Sequence, residues 1–514
     1  MIANIKGLFG DVQKNESGHF ILIGNCFLDD KLLNLELLEQ FVVSTLLKDD
    51  FKAFEKINGF FTIIYSLDNA TYLISDKVRS RPLFYYLNHG ITVSDDFDYL
   101  VDTYSDLSIN DISKEEYIHT GYVTSHETLI NEIHQLEAAQ VVKITHDVNI
   151  QRTNYWNFLP EKTLIDNDGQ DFWFSKMDKA MTAIIDKLIT VADGRQIVVP
   201  LSGGYDSRAI ALYLKKSGYQ NVICFTFGKS DSHEVKMSKH IADSLEFEWY
   251  NVTYSKAMWK TIKKSKEFGQ YIKFISSGTS VANVQVYPAI KKLLELGVVH
   301  SDAVLCPGHT ADFVAGGHFN KKDFLTVKNE EKLFDHVIKR HYKHTSEVLT
   351  SALVLKIKTE LRLLLKESGG TFLQVAEIWN SKERQSKFIV NSNRYYDFFD
   401  LDWWMPFWDD EFIALWESVP YSLRLNTVLW NDFVNYSLVD TVGKNAPVGR
   451  SNPPVNFINK VKNRLAYFTD PNALYVLVPF NRWFLQRTKL SNRPGTVFGI
   501  LSEDYIKLIR KRLS

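Results

Sequence analysis

Cysteine is scarce: the 514 residues hold three, Cys26, Cys224 and Cys306. None stands in a CxxC pair or a Cys/His ligand spacing, which argues against a structural zinc site. A sparse, odd-numbered set also excludes a disulfide-stapled scaffold and suits a reducing compartment. An excess of charge of one sign is missing too. Lys and Arg number 60 against 61 Asp and Glu, a net charge of −1. There is no global basic field of the kind that nucleic acid or an anionic membrane usually requires. No apolar run approaches the length of a membrane span, and the opening "MIANIKGLFGD" has no signal-peptide core. The expectation is a cytoplasmic protein with no nucleic-acid and no membrane partner.

What is present is an ordinary globular composition, 45% hydrophobic, 24% charged and 13% aromatic. A chain this long exceeds one core, so two or three domains are expected. Residues 18–27, 59–65, 71–75 and 82–87 read as short strands rich in β-branched and aromatic residues, with helical spacing around 31–50. The first ~150 residues therefore read as an α+β domain. "LIDNDGQD" at 164–171 is the linker candidate. Beyond it, apolar strands at 196–201, 222–228, 248–254 and 303–308 alternate with helices at about 206–217 and 233–245. That alternation indicates an α/β doubly wound parallel sheet. From about residue 320 the chain reads as mostly helical.

Residues 197–210 read "IVVPLSGGYDSRAI". A buried strand ends on Ser202-Gly203-Gly204, and Asp206 and Ser207 open a helix. Ligands of doubly wound sheets bind at the carboxyl ends of strands. Two glycines allow successive N–H groups to converge on an anion, backed by the helix N-terminal amides. The Ser202 and Ser207 hydroxyls are further donors. Asp206 fits beside phosphate if a Mg²⁺ lies between them. The competing reading is a tight turn into a helix capped by Asp206 or Ser207. No Walker loop competes, since position 223, where one would need glycine, is Ile.

Here "PLSGGYDSRAIA" resembles the pyrophosphate loop of ATP pyrophosphatases, and among them the asparagine synthetases and β-lactam synthetases. The resemblance spans nearly the whole chain. "INGFFTIIY…TYLISDKVRSRPLFYY…ITVSDDFDYL" is similar to an amidotransferase-type N-terminal domain; "KEEYIHTGYVTSHETLINEIHQL" and "TNYWNF" follow in the family order. "CFTFGKSDSHEVKMSKHIADSL", "VLCPGHTADFVAGGH" and "WWMPFWDDEFIALWESVP" resemble successive parts of the synthetase domain. The resemblance implies a degenerate amidotransferase-like α+β sandwich at 1–160. It also implies an adenine nucleotide α-hydrolase-like synthetase domain with a helical C-terminal part at 172–514.

It further implies an AMP-forming carbon–nitrogen ligase that uses ATP and Mg²⁺. A small-molecule or peptide carboxylate is adenylated, and an amine or ammonia then displaces AMP. Ser202, Gly203, Gly204, Asp206 and Ser207 would hold pyrophosphate, and Pro307 and Gly308 would contact the nucleotide. Asp206 and Asp312 would bind Mg²⁺, with a helix N-cap as the alternative for Asp312. Aspartate, a sugar acid or a peptide are the candidate acids, and a homodimer is compatible with the pattern. A catalytically silent nucleotide-binding or assembly partner is the second reading. A tRNA-modifying ATP pyrophosphatase is disfavoured by the neutral charge.

Three departures matter. Glutamine-dependent relatives carry a cysteine after the initiator Met, where this chain has Ile2; Cys26 lies inside a predicted strand, and "IGNCFLDD" replaces the family's Asn-Gly oxyanion segment. The N-terminal domain is thus expected to lack glutaminase activity. Where relatives place Glu or Tyr in the acidic loop stands His309, read as a base for the amine or as a ring that bonds loop backbone; Phe313 replaces the second carboxylate. Finally, the cation facing the α-phosphate falls in "GKNAPVGRSNPP", where Lys444 and Arg450 both qualify. Arg384 and Arg394 are further substrate-binding candidates.

Overall fold

The computed structural model describes residues 2–67, 69–88, 90–161, 168–345, 347–449 and 497–513. Half of the linker candidate, residues 164–167, and Arg450 therefore lie outside the described residues.

The N-terminal part is built from strands, of which the central ones, at residues 20–28, 57–67 and 70–75, bury both faces. The strands are β1 (Ile2–Asn4), β2 (Val12–Lys14), β3 (Phe20–Leu28), β4 (Lys31–Leu32), β5 (Ile57–Leu67) and β6 (Ala70–Ser75). β7 (Phe84–Tyr86), β8 (Thr92–Ser94), β9 (Ile133–Gln135), β10 (Gln140–Thr145) and β11 (Ile150–Asn154) complete them. One sheet runs β11-β10-β6-β5-β3-β2 with β4 on β3, and a second runs β1-β8-β7-β9. Alternation along β5 explains the layering. Phe61, Ile63 and Tyr65 face helix α1 (Leu35–Leu47), which contributes Leu38, Val42 and Leu46. Ile64, on the opposite side, joins Tyr85, Val93 and Leu136 between the two sheets.

The second half centres on a five-stranded sheet ordered β14 (Glu248–Thr253), β13 (Val222–Gly228), β12 (Ile197–Pro200), β15 (Val304–Leu305) and β16 (Asp402–Trp403). Every neighbouring pair is parallel. The chain begins at β12, winds outward through β13 and β14, then returns to the other side of β12 as β15. The order reverses between β12 and β15, and that reversal opens a crevice at their carboxyl ends. Helices α2 (Gln170–Ala192), α3 (Tyr205–Lys216) and α4 (His233–Ser244) pack beside the sheet. The short α5 (Ala311–Val314) follows β15; α6 (Phe372–Trp379), a π-helix at Asn380–Val390, α7 (Tyr421–Arg424) and α8 (Val428–Val442) come later.

The structure departs from the sequence reading in detail. The 303–308 strand shrinks to two residues, and β16 emerges from the aromatic stretch as a fifth strand. The N-terminal sheets pack against that edge. Phe60 meets Trp404 edge-on at 4.6 Å, and the Arg81 guanidinium lies 4.5 Å over Trp403 while pairing with Asp397 at 3.2 Å. Each such aromatic contact adds about 0.5–1.5 kcal/mol beyond the area it buries. Asn58 and Lys187 both bond the buried Asp409 carboxylate, at 2.8 and 3.1 Å. Among the described residues no helix is long and apolar enough to cross a membrane.

Candidate active site

The crevice between β12 and β15 opens into a cavity of about 470 Å³, lined by residues 200–207, Phe225–Phe227, Glu234, Gln285, Val286, Pro307–His309, Asp312 and Tyr395. Ser202, Gly203, Gly204, Asp206, Ser207, Pro307, Gly308, His309 and Asp312 thus converge from two loops. Helix α3 starts at Tyr205 behind Gly204, which supplies no side-chain cap. Neither Asp206 nor Ser207 stands at the cap position, which Gly204 holds. The Ser207 hydroxyl instead accepts the Ser202 N–H at 3.0 Å, and Ser202 Oγ accepts the Gly204 N–H at 3.1 Å. Both serines therefore also hold the turn's shape.

The two loops touch. A Cβ on Gly308 would lie 2.5 Å from Ser207 N and 2.8 Å from its Cα, both rigid backbone. Gly308→Ala is expected to part the loops, at a cost of about 1–3 kcal/mol, and to weaken ATP binding. Thermal melts and calorimetric titration with ATP check this; wild-type values for both would show that the apposition has no role.

Asp206 Oδ2 accepts the Asp312 N–H at 3.1 Å and Oδ1 accepts Trp430 Nε1 at 2.9 Å. Asp312 is exposed on the first turn of α5, whose N-cap is Thr310, so the N-cap alternative for Asp312 is not what the fold uses. Thr310 has φ +94°, a β-branched residue in left-handed backbone, and its hydroxyl is buried without a partner. Such strain costs about 1–3 kcal/mol and concentrates at functional turns. Among the described residues no three His, Cys, Asp or Glu side chains gather as a metal cage. Two carboxylates beside a glycine turn are nonetheless a donor set that suits Mg²⁺, which completes its shell with water and substrate phosphates.

His309 sits on the wall, its pKa lowered by burial against the opposing pull of Asp312. Its Nε2 is buried without a hydrogen-bond partner. Glu234, in the first turn of α4, also faces the cavity, its carboxyl pushed up to about 7 by burial. The sequence reading missed it, although a carboxylate just past the carboxyl end of β13 was the available signal.

The remaining candidates separate. Lys444 is exposed on the turn after α8 and does not line the cavity. Arg384 packs over Phe388, away from the cavity lining. Arg394 is a core residue: it is fully buried, donates to Phe274 O at 2.7 Å and Ser277 Oγ at 3.0 Å, and stacks on Phe9. A large apolar neighbourhood with carbonyl acceptors took a residue that sequence alone could read as a ligand. Arg208 ties the glycine turn to the later loop, donating to Gly203 O and Gly449 O at 3.3 and 2.9 Å. Cys26 is 1% exposed, its thiol pushed up to about 12 by burial; all three cysteines are buried.

Comparison with known proteins bears on this geometry. A family model described as asparagine synthase matches residues 190–431, and one described as a glutamine amidotransferase domain matches 42–156. The chain is 26% identical over 207 residues to the microcin J25-processing protein McjC of Escherichia coli, which covers 38% of this chain and only 37% of that protein. Similar solved structures include an NH3-dependent NAD synthetase from Campylobacter jejuni subsp. jejuni NCTC 11168 in complex with the nitrate ion. It is 14% identical, spans 42% of this chain and 95% of its own, and has a TM-score of 0.24. An NMN synthetase from Francisella tularensis is 15% identical, with 45% and 94% coverage and a TM-score of 0.22. An amidotransferase-type region ahead of a synthetase-type domain, with the two loops meeting in one cavity, supports an asparagine synthetase-like family for this chain.

Proposed function

We propose that the protein is an AMP-forming carbon–nitrogen ligase that joins a carboxylic acid to an amine at the expense of ATP. The observation that carries this reading is the convergence of the glycine turn, Asp206, Asp312 and His309 on one cavity at the sheet's switch point. A carboxylate oxygen of the acid attacks the α-phosphorus, the bond to the β-phosphate oxygen breaks, and pyrophosphate leaves. The amine nitrogen then attacks the acyl carbon, AMP departs, and the amine proton passes to His309. Asp206 and Asp312 would hold a Mg²⁺, which would supply charge neutralisation for the pyrophosphate. The α3 first-turn amides and the Ser202–Ser207 turn orient the same group. Burial keeps His309 neutral near pH 7, the form a base needs.

The amine comes from outside the N-terminal domain. Cys26, the one cysteine in residues 1–160, is buried within β3. The acid is aspartate or a more specialised carboxylate such as a sugar acid or peptide. Likeness to a protein named for processing a microcin favours the specialised class.

Carboxylate-dependent ATP–pyrophosphate exchange over a panel of amino, sugar and peptide acids tests the proposal. Stimulation by one class is the expected result. ATP binding without stimulation by any acid would instead favour the silent nucleotide-binding partner.

A further inference from the structure

Among the described residues four arginines have no exposed surface: Arg79, Arg208, Arg394 and Arg424. A charge taken out of water is costly unless an opposite charge or well-aimed dipoles compensate it. Arg424 pairs with Glu377, Arg394 feels the charge of Asp397, and Arg79 feels those of Glu137, Glu383 and Asp76. Among the described residues no carboxylate offsets the charge of Arg208. Its guanidinium has weaker partners instead. Nη2 donates to Gly203 O at 3.3 Å and to Gly449 O at 2.9 Å, and the group lies 5.0 Å over the Tyr205 ring. Nε and Nη1 are buried without a partner. Burial lowers its pKa only to about 10, so the group keeps its charge at neutral pH.

Arg208 stands in the first turn of α3, behind the glycine turn, and is not itself on the cavity wall. Gly203 is on the wall, so the bond to Arg208 turns its carbonyl oxygen away from the cavity. The same peptide is held at its other end, where Gly204 N–H donates to Ser202 Oγ at 3.1 Å. Glycines on both sides leave a peptide plane little steric resistance to rotation. Rotated by half a turn, this one would push a carbonyl oxygen toward a bound anion. We propose that Arg208 is the positioning residue of the pyrophosphate site: it holds the Gly203 carbonyl out of the cavity and sets behind the turn a positive charge whose counter-ion is the pyrophosphate. Through buried protein that charge is screened far less than it would be through solvent. Gly449 N–H donates to Asn435 Oδ1 at 3.2 Å, and Asn435 Nδ2 donates to the Tyr205 hydroxyl at 3.4 Å. Tyr205, Asn435 and Gly449 thus brace the guanidinium from the side away from the turn.

The inference rests on the reading of this turn as a pyrophosphate site. Calorimetric titration of the full-length protein with inorganic pyrophosphate and Mg²⁺, at one fixed salt concentration, tests it on three variants. Arg208→Lys keeps the charge and a donor for Gly203 O, and should bind close to wild type. Arg208→Gln keeps a donor but no charge, and should bind about tenfold more weakly. Arg208→Met keeps neither, and should lose about 10–10²-fold. The order of Lys above Gln is what a purely structural role would not give, since both side chains can hold the carbonyl. That comparison stands even if Arg208→Met fails to fold. Wild-type affinity in Arg208→Gln or Arg208→Met overturns the inference, and so does an equal loss in Arg208→Lys and Arg208→Gln. A wild type that binds no pyrophosphate overturns it as well. The expected order in a protein that shows no exchange with any acid would defeat the ligase reading and leave the role of Arg208 in place.

Discussion

Asp312→Asn is expected to reduce carboxylate-dependent ATP–pyrophosphate exchange by about 10²–10³-fold while the protein stays folded. Metal-borne charge neutralisation contributes several kcal/mol to such a step, and each ~1.4 kcal/mol is tenfold in rate. Asp312 is exposed and its N–H, not its carboxylate, makes the bond to Asp206. The substitution therefore removes a charge and little structure, and stability should move by no more than about 0.5 kcal/mol. Asp206→Asn makes an instructive companion. It should cost the same activity and more stability, because its two oxygens accept from Trp430 and from the Asp312 backbone. Exchange kinetics and urea melts on the two variants separate the effects. An Asp312→Asn enzyme with full exchange would remove the metal role assigned to this loop.

The largest stability effect is expected behind that loop. Arg424 and Glu377 form an ion pair at 2.6 Å with both side chains at 0% exposure, and Arg424 Nε donates to Val314 O at 2.9 Å. His318 approaches the same carboxylate at 3.3 Å, and Tyr421 donates to it. Burial works to raise the Glu377 pKa, but Arg424 and His318 outweigh it and hold it at about 2. A carboxylate depressed on folding contributes stability above its unfolded pKa, lost as pH falls through the range from there to about 2. Arg424→Ala strands the buried charge and is expected to cost about 3–5 kcal/mol at neutral pH. The gap from wild type should narrow as acid protonates Glu377. Replacing both partners by apolar residues, Arg424→Met with Glu377→Leu, should recover most of the stability. Exchange should stay low, since Val314 O loses the guanidinium that steadies α5 and Asp312. Urea melts across pH and exchange assays check both statements. Full exchange in the double variant would show that the ion pair supports only the fold.

Much of this site was legible in the chain because its signals are local. An apolar strand, two glycines and a helix start follow one another in "IVVPLSGGYDSRAI", and strand–turn–helix geometry needs few distant contacts. "CPGHTAD" marked the second loop in the same way. Placement away from the cavity was not legible locally. Arg394 and Lys444 were cations in suitable stretches, yet burial on Phe9 and exposure after α8 settled their positions. Arg208 had no reading until Gly449 lay against it, and Glu234 had none until α4 met the cavity.

The sequence by itself determined the alternation of strands and helices in the second half, the glycine turn and the acidic loop. Residue identity and short-range spacing carry each of these. Only the tertiary structure decided that β12 and β15 are neighbours and that Gly308 abuts Ser207. It also showed that Arg424 holds the loop of Asp312. Those contacts join segments far apart in sequence, and their energy depends on burial and alignment, which appear only once the strands have taken their order in the sheet.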